Sequence, residues 1–64
     1  MREVIKALHR HEMRLWRLRA AILIQTWPTP SLEKKAMALL RDIEGAIKKI
    51  VTLRETLERI EEEE

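Results

Sequence analysis

The chain is predicted to be all-α: an antiparallel helical hairpin with heptad packing that associates into a helical bundle. Apolar residues recur at alternating steps of four and three through most of the sequence, the pattern of helices that bury a narrow stripe. A single glycine and two prolines leave room for only one strong interruption. With 45% hydrophobic residues but only two aromatic ones, both Trp, the composition suits a helical bundle better than a sheet protein.

The first helix is predicted over residues 2–26, and its main apolar row is expected to face the second helix. The row is Val4, Leu8, His11, Leu15, Leu18, Ile22 and Gln25. Residues at these steps share one side of a helix. His11 and Gln25 stand in this row where Leu or Ile is expected, so they are predicted to be buried polar residues that set register or partner choice.

A second row on the same helix is predicted to contact another protein molecule. It consists of Met13, Trp16, Ala20, Leu23 and Trp27, again at steps of three and four. One partner helix covers only one side of the first helix, so this opposite side needs a different neighbour. Trp and Met are enriched at protein interfaces. For Trp27 the alternative is that it folds back over the closed end of the hairpin.

The connection is predicted at residues 27–30. Pro28 and Pro30 each disfavour the helical conformation in the residue before them. The second helix is expected to restart with Thr29 as N-cap and Pro30 as its first residue, or with Ser31 as N-cap. A short connection between two heptad-bearing helices makes an antiparallel hairpin.

The second helix is predicted over residues 31–62, followed by a frayed acidic end, so that residues 1–64 form a single hairpin. Its apolar row is Leu32, Ala36, Leu39, Ile43, Ala46, Ile50, Leu53, Leu57 and Ile60. Further apolar residues flank this row, which is typical of a helix that touches two neighbours. At 1.5 Å per residue the second helix should overhang the first by about two turns at the free end. The residues predicted to make intermolecular contacts on this helix are Leu40, Ile47, Val51, Leu57 and Ile60.

Gly45 is the one glycine, and it lies in the middle of the second helix. It belongs to a row of small residues with Ala38 and Thr52, spaced by seven. Glycine inside a helix costs about 1 kcal/mol relative to Ala. Either the position is an arbitrary surface choice, or another helix approaches closely there.

Charge divides the chain into a basic first helix and an acidic second one. Residues 1–30 carry six basic and two acidic side chains, whereas residues 31–64 carry seven basic and nine acidic ones. Opposite charge favours pairing of the two helices and influences the orientation of subunits. Lys6, Arg10, Arg14 and Arg17 form a basic side that is expected to be solvated or paired with the acidic helix. RNA binding through this side is less favoured, because the terminal glutamates repel phosphates.

No catalytic residue, cofactor-binding residue or metal ligand is predicted. The chain has no cysteine, and its lone serine is a candidate cap. His9 and His11, two residues apart on a helix, point about 200° from each other and cannot hold one ion together. The longest apolar run has five residues, far below the ~20 that span a bilayer. Charged residues also interrupt any signal-peptide core near the N-terminus. The expectation is a soluble protein that is not an enzyme and whose localisation is undetermined.

The whole chain resembles computationally designed helical-hairpin oligomers. The features that carry the resemblance are the single break, the unbroken heptads, the strong helix formers at surface positions and the glutamate-rich finish. In architecture it is similar to the Rop-like family, in which two hairpins dimerise into a four-helix bundle. The resemblance implies a self-assembling homo-oligomer, with a dimer favoured. A natural hyperthermophile hairpin is the alternative origin. A small helical module that binds another protein through Met13, Trp16, Leu23 and Trp27 is the alternative function.

Overall fold

Two long helices packed antiparallel make up the structure, a computed structural model that describes residues 1–63. Helix α1 spans Arg2–Ile24 and helix α2 spans Pro30–Glu63, and together they form a hairpin 53 Å long. The predicted all-α antiparallel hairpin is confirmed. Helix α1 ends two residues earlier than expected because Gln25 already has an extended backbone, with φ −75° and ψ 135°. Neither helix of this part of the chain carries an apolar stretch long enough to cross a membrane.

The start of α2 is capped by Thr29. Its hydroxyl Oγ1 accepts a hydrogen bond from the backbone N–H of Leu32 at 3.2 Å, and its carbonyl oxygen accepts one from Glu33 at 3.0 Å. Pro30 is the first helical residue, where the missing N–H of proline leaves no hydrogen bond unmade. The first of the two predicted N-caps is therefore confirmed.

The register of the two helices follows from two ion pairs between them. Glu12 pairs with Arg54, and Arg19 pairs with Glu44. Glu12 lies about 18 Å along α1 from its end at Ile24, whereas Arg54 lies about 36 Å along α2 from its start. The end of α1 is thus level with a point well inside α2, close to Leu40.

The extra length of α2 therefore lies at the closed end of the hairpin. Residues 25–29 connect the helices and, if extended at ~3.3 Å per residue, span about 16 Å, which matches the offset. The predicted overhang at the free end is wrong, because the connection is an extended segment rather than a tight turn. Leu57, which was expected to project beyond α1, is half-buried beside it, and Ile60 is 41% exposed.

The buried core lies towards the closed end of the hairpin. Its members are Ile22, Ala36, Leu40, Ile43 and Ile47, with Leu15, Trp27, Met37 and Val51 packed against them. The prediction that Leu40 and Ile47 make intermolecular contacts is wrong, because both are already buried within the hairpin. Val51 and Trp27 are partly buried against the same core, so Trp27 takes the alternative place foreseen for it, at the closed end.

The row of α1 that contacts α2 shares Leu8, Leu15 and Ile22 with the predicted row, but its other positions lie one residue later. The side chains at least partly buried on α1 are Ile5, Leu8, Glu12, Leu15, Arg19 and Ile22. His11 and Gln25 are exposed in the hairpin, so they are not buried between its two helices, and that they set register or partner choice stays a prediction. Glu12 and Arg19 occupy this contact because each reaches an oppositely charged partner on α2.

Candidate interaction surfaces

One side of the hairpin presents two parallel rows of mainly apolar and largely exposed residues, here called the open face. The residues within each row are seven apart. Most of them come one residue before a residue that faces the other helix. Because the helices are antiparallel, positions with the same offset lie on the same side of the hairpin. The open face consists of Val4, His11, Leu18 and Gln25 from α1, and Leu32, Leu39, Ala46, Leu53 and Ile60 from α2.

The large apolar side chains of the open face are about half exposed. Leu39 and Leu53 are each 48% exposed and Leu18 is 45% exposed, with Val4 and Leu32 in the same range. No residue of the two rows is acidic, and none is Lys or Arg. Apart from His11 and Gln25 the stripe is apolar, and an exposed apolar stripe of this length is a candidate interaction surface.

Residues of the two rows lie side by side in layers across the open face. The register set by the two ion pairs places Val4 level with Ile60, His11 with Leu53, Leu18 with Ala46 and Gln25 with Leu39. Gln25 is the residue that caps the end of α1, and its side-chain amide donates a hydrogen bond to the carbonyl oxygen of Thr26 at 3.0 Å. Within residues 1–63, the second donor of the amide and its oxygen have no such bond.

A second exposed apolar surface lies on the other side of α1, here called the Trp16 surface. It consists of Met13, Trp16, Ala20 and Leu23. The indole N–H of Trp16 donates to Glu12 Oε2 at 3.2 Å, and the guanidinium of Arg19 lies 5.4 Å from the centre of the ring. These two contacts hold a ring that is still 43% exposed. That the four residues make an intermolecular contact stays a prediction.

Glu12 also belongs to a polar chain that crosses between the helices. Arg54 donates from Nε to Glu12 Oε1 at 3.3 Å and from Nη1 to Glu58 Oε1 at 2.9 Å. The hydrogen bond to Glu58 raises the pKa of Arg54 above the ordinary arginine value, burial opposes the rise, and the negative charge of Glu12 adds to it. Arg54 is therefore a fixed positive charge between two carboxylates, and it turns Trp16, Glu12 and Glu58 into one network.

Trp27 closes the end of the core but leaves one polar group unpaired. Its indole Nε1 is buried with no hydrogen-bond partner. The ring packs against the cluster around Ile22 and Leu40. Most of its surface is thus used inside the hairpin, which separates it from the exposed residues with which its spacing grouped it.

The back of α2 carries a shallow groove around Gly45. It is lined by Gly45, Lys48, Lys49, Thr52, Leu53 and Thr56. The hydroxyls of Thr52 and Thr56 donate to the carbonyl oxygens of Lys48 and Thr52, so they turn towards the backbone. A Cβ atom added at Gly45 would meet nothing within 4 Å. No close approach within the hairpin explains the glycine.

The basic side of α1 makes few contacts with acidic residues. Lys6 lies 3.9 Å from Glu3, and within residues 1–63 no ion pair involves Arg10, Arg14 or Arg17. Of the two expected arrangements, salt bridges to α2 do not form within residues 1–63, because this side faces away from α2. Nor does this part of the chain bring three His, Asp or Glu side chains together as a metal site would require.

No protein-family model, curated protein sequence or solved structure matches the chain.

Sequence reasoning missed Glu12 and Arg54, the polar residues that lie between the helices. A signal was present: Ile5, Leu8, Glu12, Leu15, Arg19 and Ile22 have the same alternating spacing as the predicted row. In that row the charged residues Glu12 and Arg19 stand seven apart. Residues of opposite charge, Arg54 and Glu44, stand at facing levels of α2.

Proposed function

We propose that the chain is a non-catalytic, self-assembling hairpin that dimerises through its open face into a four-helix bundle. The observation that supports this is the open face itself: two rows of mainly apolar residues along the hairpin, without Lys, Arg or acidic residues, whose large apolar side chains are about half exposed. Covering the exposed half of one such Leu or Ile side chain is worth about 1 kcal/mol. The resemblance to designed helical-hairpin oligomers points to the same function.

The direction of the apolar sector on each helix favours two helical neighbours at a right angle. On α1, Leu8, Leu15 and Ile22 lie against α2, whereas Val4 and Leu18 lie on the open face. The apolar stripe of α1 is therefore centred between the side that contacts α2 and the side that forms the open face. Helices of a four-helix bundle point their apolar positions in such a direction, because each touches two adjacent helices.

A second copy of the chain is the partner that fits this face. Both rows repeat every seven residues, so an identical face has the matching spacing of ridges and gaps along its whole length. A two-fold dimer buries the same patch on both subunits, which requires a self-complementary surface. The open face meets that requirement, whereas the Trp16 surface borders the charged side chains of Arg19, Glu44 and Glu58.

Light scattering coupled to size-exclusion chromatography tests the proposal. The chain should have the mass of a dimer at about 10 µM, and its melting temperature should rise with concentration because only the folded dimer is stabilised by mass action. Leu53→Lys should abolish the dimer by placing a charge on the open face. The matched control is Thr52→Lys, one residue away on the back of α2, which should leave the dimer intact.

A monomeric mass at about 100 µM with a concentration-independent melt would refute the dimer. That result would favour the alternative, a module that binds a different protein through the Trp16 surface. An equal loss of dimer in Leu53→Lys and Thr52→Lys would show that the open face is not the interface.

A further inference from the structure

We infer that His11 of one copy pairs with Gln25 of the other, and that this pair fixes the orientation of the two hairpins. The inference rests on the proposed dimer and adds its internal geometry. His11 and Gln25 are the only side chains of the open face that are strongly polar. In a dimer closed over this face both become buried, and buried polar groups need hydrogen-bond partners.

The open face is symmetric about its middle layer. Ala46 is the central residue of its row on α2 and lies at the midpoint of Pro30–Glu63. Leu18 is level with Ala46, and His11 and Gln25 lie seven residues to either side of Leu18. A two-fold axis through the middle layer and perpendicular to the helices therefore exchanges the levels of His11 and Gln25.

With that axis, each apolar residue of the central layers meets an apolar residue of the second copy, and each polar residue meets a polar one. Leu18 meets Leu18 of the second copy, and Ala46 meets Ala46. His11 meets Gln25, so the two polar side chains of each copy face those of the other. The remaining pairs are apolar, namely Leu39 with Leu53 and Leu32 with Ile60.

The other two-fold arrangement has its axis along the helices and brings α1 of each copy against α2 of the other. His11 then faces Leu53, and Gln25 faces Leu39. Four polar side chains per dimer lose water without gaining a partner, and each such loss costs roughly tenfold or more in affinity. The charge difference between the helices favours this arrangement, but exposed ion pairs change an affinity by only about fivefold. The polar pairing therefore decides the orientation.

The two side chains are chemically suited to each other. A neutral imidazole has one N–H donor and one nitrogen acceptor, and a primary amide offers both kinds of group. Gln25 uses one amide hydrogen for Thr26, which leaves the second hydrogen and the oxygen for His11. Either tautomer of the imidazole therefore finds a partner.

Cysteine cross-linking distinguishes the two orientations, because the unmodified chain has no cysteine. After a dimer mass has been established for the unmodified chain, Leu18→Cys alone should form a disulfide-linked dimer on mild oxidation. Leu53→Cys alone should not, but a mixture of Leu39→Cys and Leu53→Cys chains should. Ala38→Cys, on the back of α2, is the control for random collision and should stay unlinked.

A double-mutant cycle tests the pair itself. His11→Leu and Gln25→Leu should each weaken the dimer about tenfold, because each leaves a buried polar group unpaired. The dimer affinity of the double variant should return to within about threefold of that of the unmodified chain. Circular dichroism should show equal helicity in all the variants. The double variant has lost the pair that sets the orientation. When double-variant chains that also carry Leu18→Cys are mixed with double-variant chains that also carry Ala46→Cys, disulfides should form between the two kinds of chain.

One outcome would overturn the pairing and leave the proposed dimer standing. It is a dimer mass together with disulfides between Leu18→Cys and Ala46→Cys chains that keep His11 and Gln25. Additive effects of His11→Leu and Gln25→Leu would overturn the pairing too. A monomeric mass would overturn both the pairing and the proposed function.

Discussion

Glu12 and Arg54 meet across the two helices, with 3.3 Å between Glu12 Oε1 and Arg54 Nε. Both lie in the contact rows of their helices, where heptads ordinarily place apolar side chains. Their side chains are only 12% and 20% exposed. The contact between α1 and α2 thus contains one polar layer, and the indole N–H of Trp16 and the carboxylate of Glu58 complete its hydrogen bonds.

Removing one member of this layer should destabilise the hairpin more than removing both. Glu12→Leu leaves Arg54 partly buried opposite an apolar side chain and should lower the free energy of unfolding by about 1–3 kcal/mol. Glu12→Leu combined with Arg54→Leu should restore most of that loss, because two apolar side chains then pack together. Urea denaturation measures both. Arg19→Ala, which removes a more exposed pair with Glu44, is the control and should cost at most about 1 kcal/mol.

Gly45→Ala should stabilise the chain by about 0.5–1 kcal/mol. A methyl group at this position meets no atom within 4 Å, and alanine loses less backbone entropy in a helix than glycine. The expected result is a higher melting temperature with an unchanged dimer mass. If the melting temperature rises but the dimer dissociates, the glycine marks a close helix approach between copies, which was the second interpretation of this position.

Trp16→Ala tests which of the two exposed surfaces carries the dimer. We expect the dimer dissociation constant to stay within about twofold, because Trp16 lies away from the open face. The hairpin itself should lose about 1 kcal/mol, since the hydrogen bond to Glu12 and the contact with Arg19 disappear. Sedimentation equilibrium and thermal melts separate the two quantities. A loss of affinity of about thirtyfold or more would instead place an interface anchor at Trp16.

The sequence predicted the hairpin because its single break and its heptad spacing leave few other folds. It predicted the wrong rotation of the helices about their own axes, because α2 has apolar residues at neighbouring positions, such as Leu39 beside Leu40 and Ala46 beside Ile47. Heptad spacing locates the apolar sector of a helix, but it does not say which edge of the sector meets the neighbour within the chain. The charge pair of Glu12 and Arg54 decides this, and pairing across helices is not visible in the spacing of either helix alone.

The same limit applies to the candidate surfaces. Leu53 and Ile60 were identified as apolar members of the heptad row, yet only the rotation of α2 shows that they lie outside the hairpin contact. Trp27 was grouped with Trp16 by spacing, but α1 ends before it. Helical spacing predicts the position of a side chain only up to the residue that caps the helix, here Gln25, and Pro28 marks that limit only to within a few residues.

The length of the connection limits how the two helices can be aligned. Residues 25–29 bridge the offset between the end of α1 and the start of α2, and at ~3.3 Å per residue they have little length to spare. Removing two residues would shorten their reach by about 6.6 Å, more than one helical turn of 5.4 Å, so that Glu12 would no longer lie opposite Arg54, nor Leu18 level with Ala46. The ion pairs can therefore align the layers of the hairpin only within the reach of five residues that belong to neither helix.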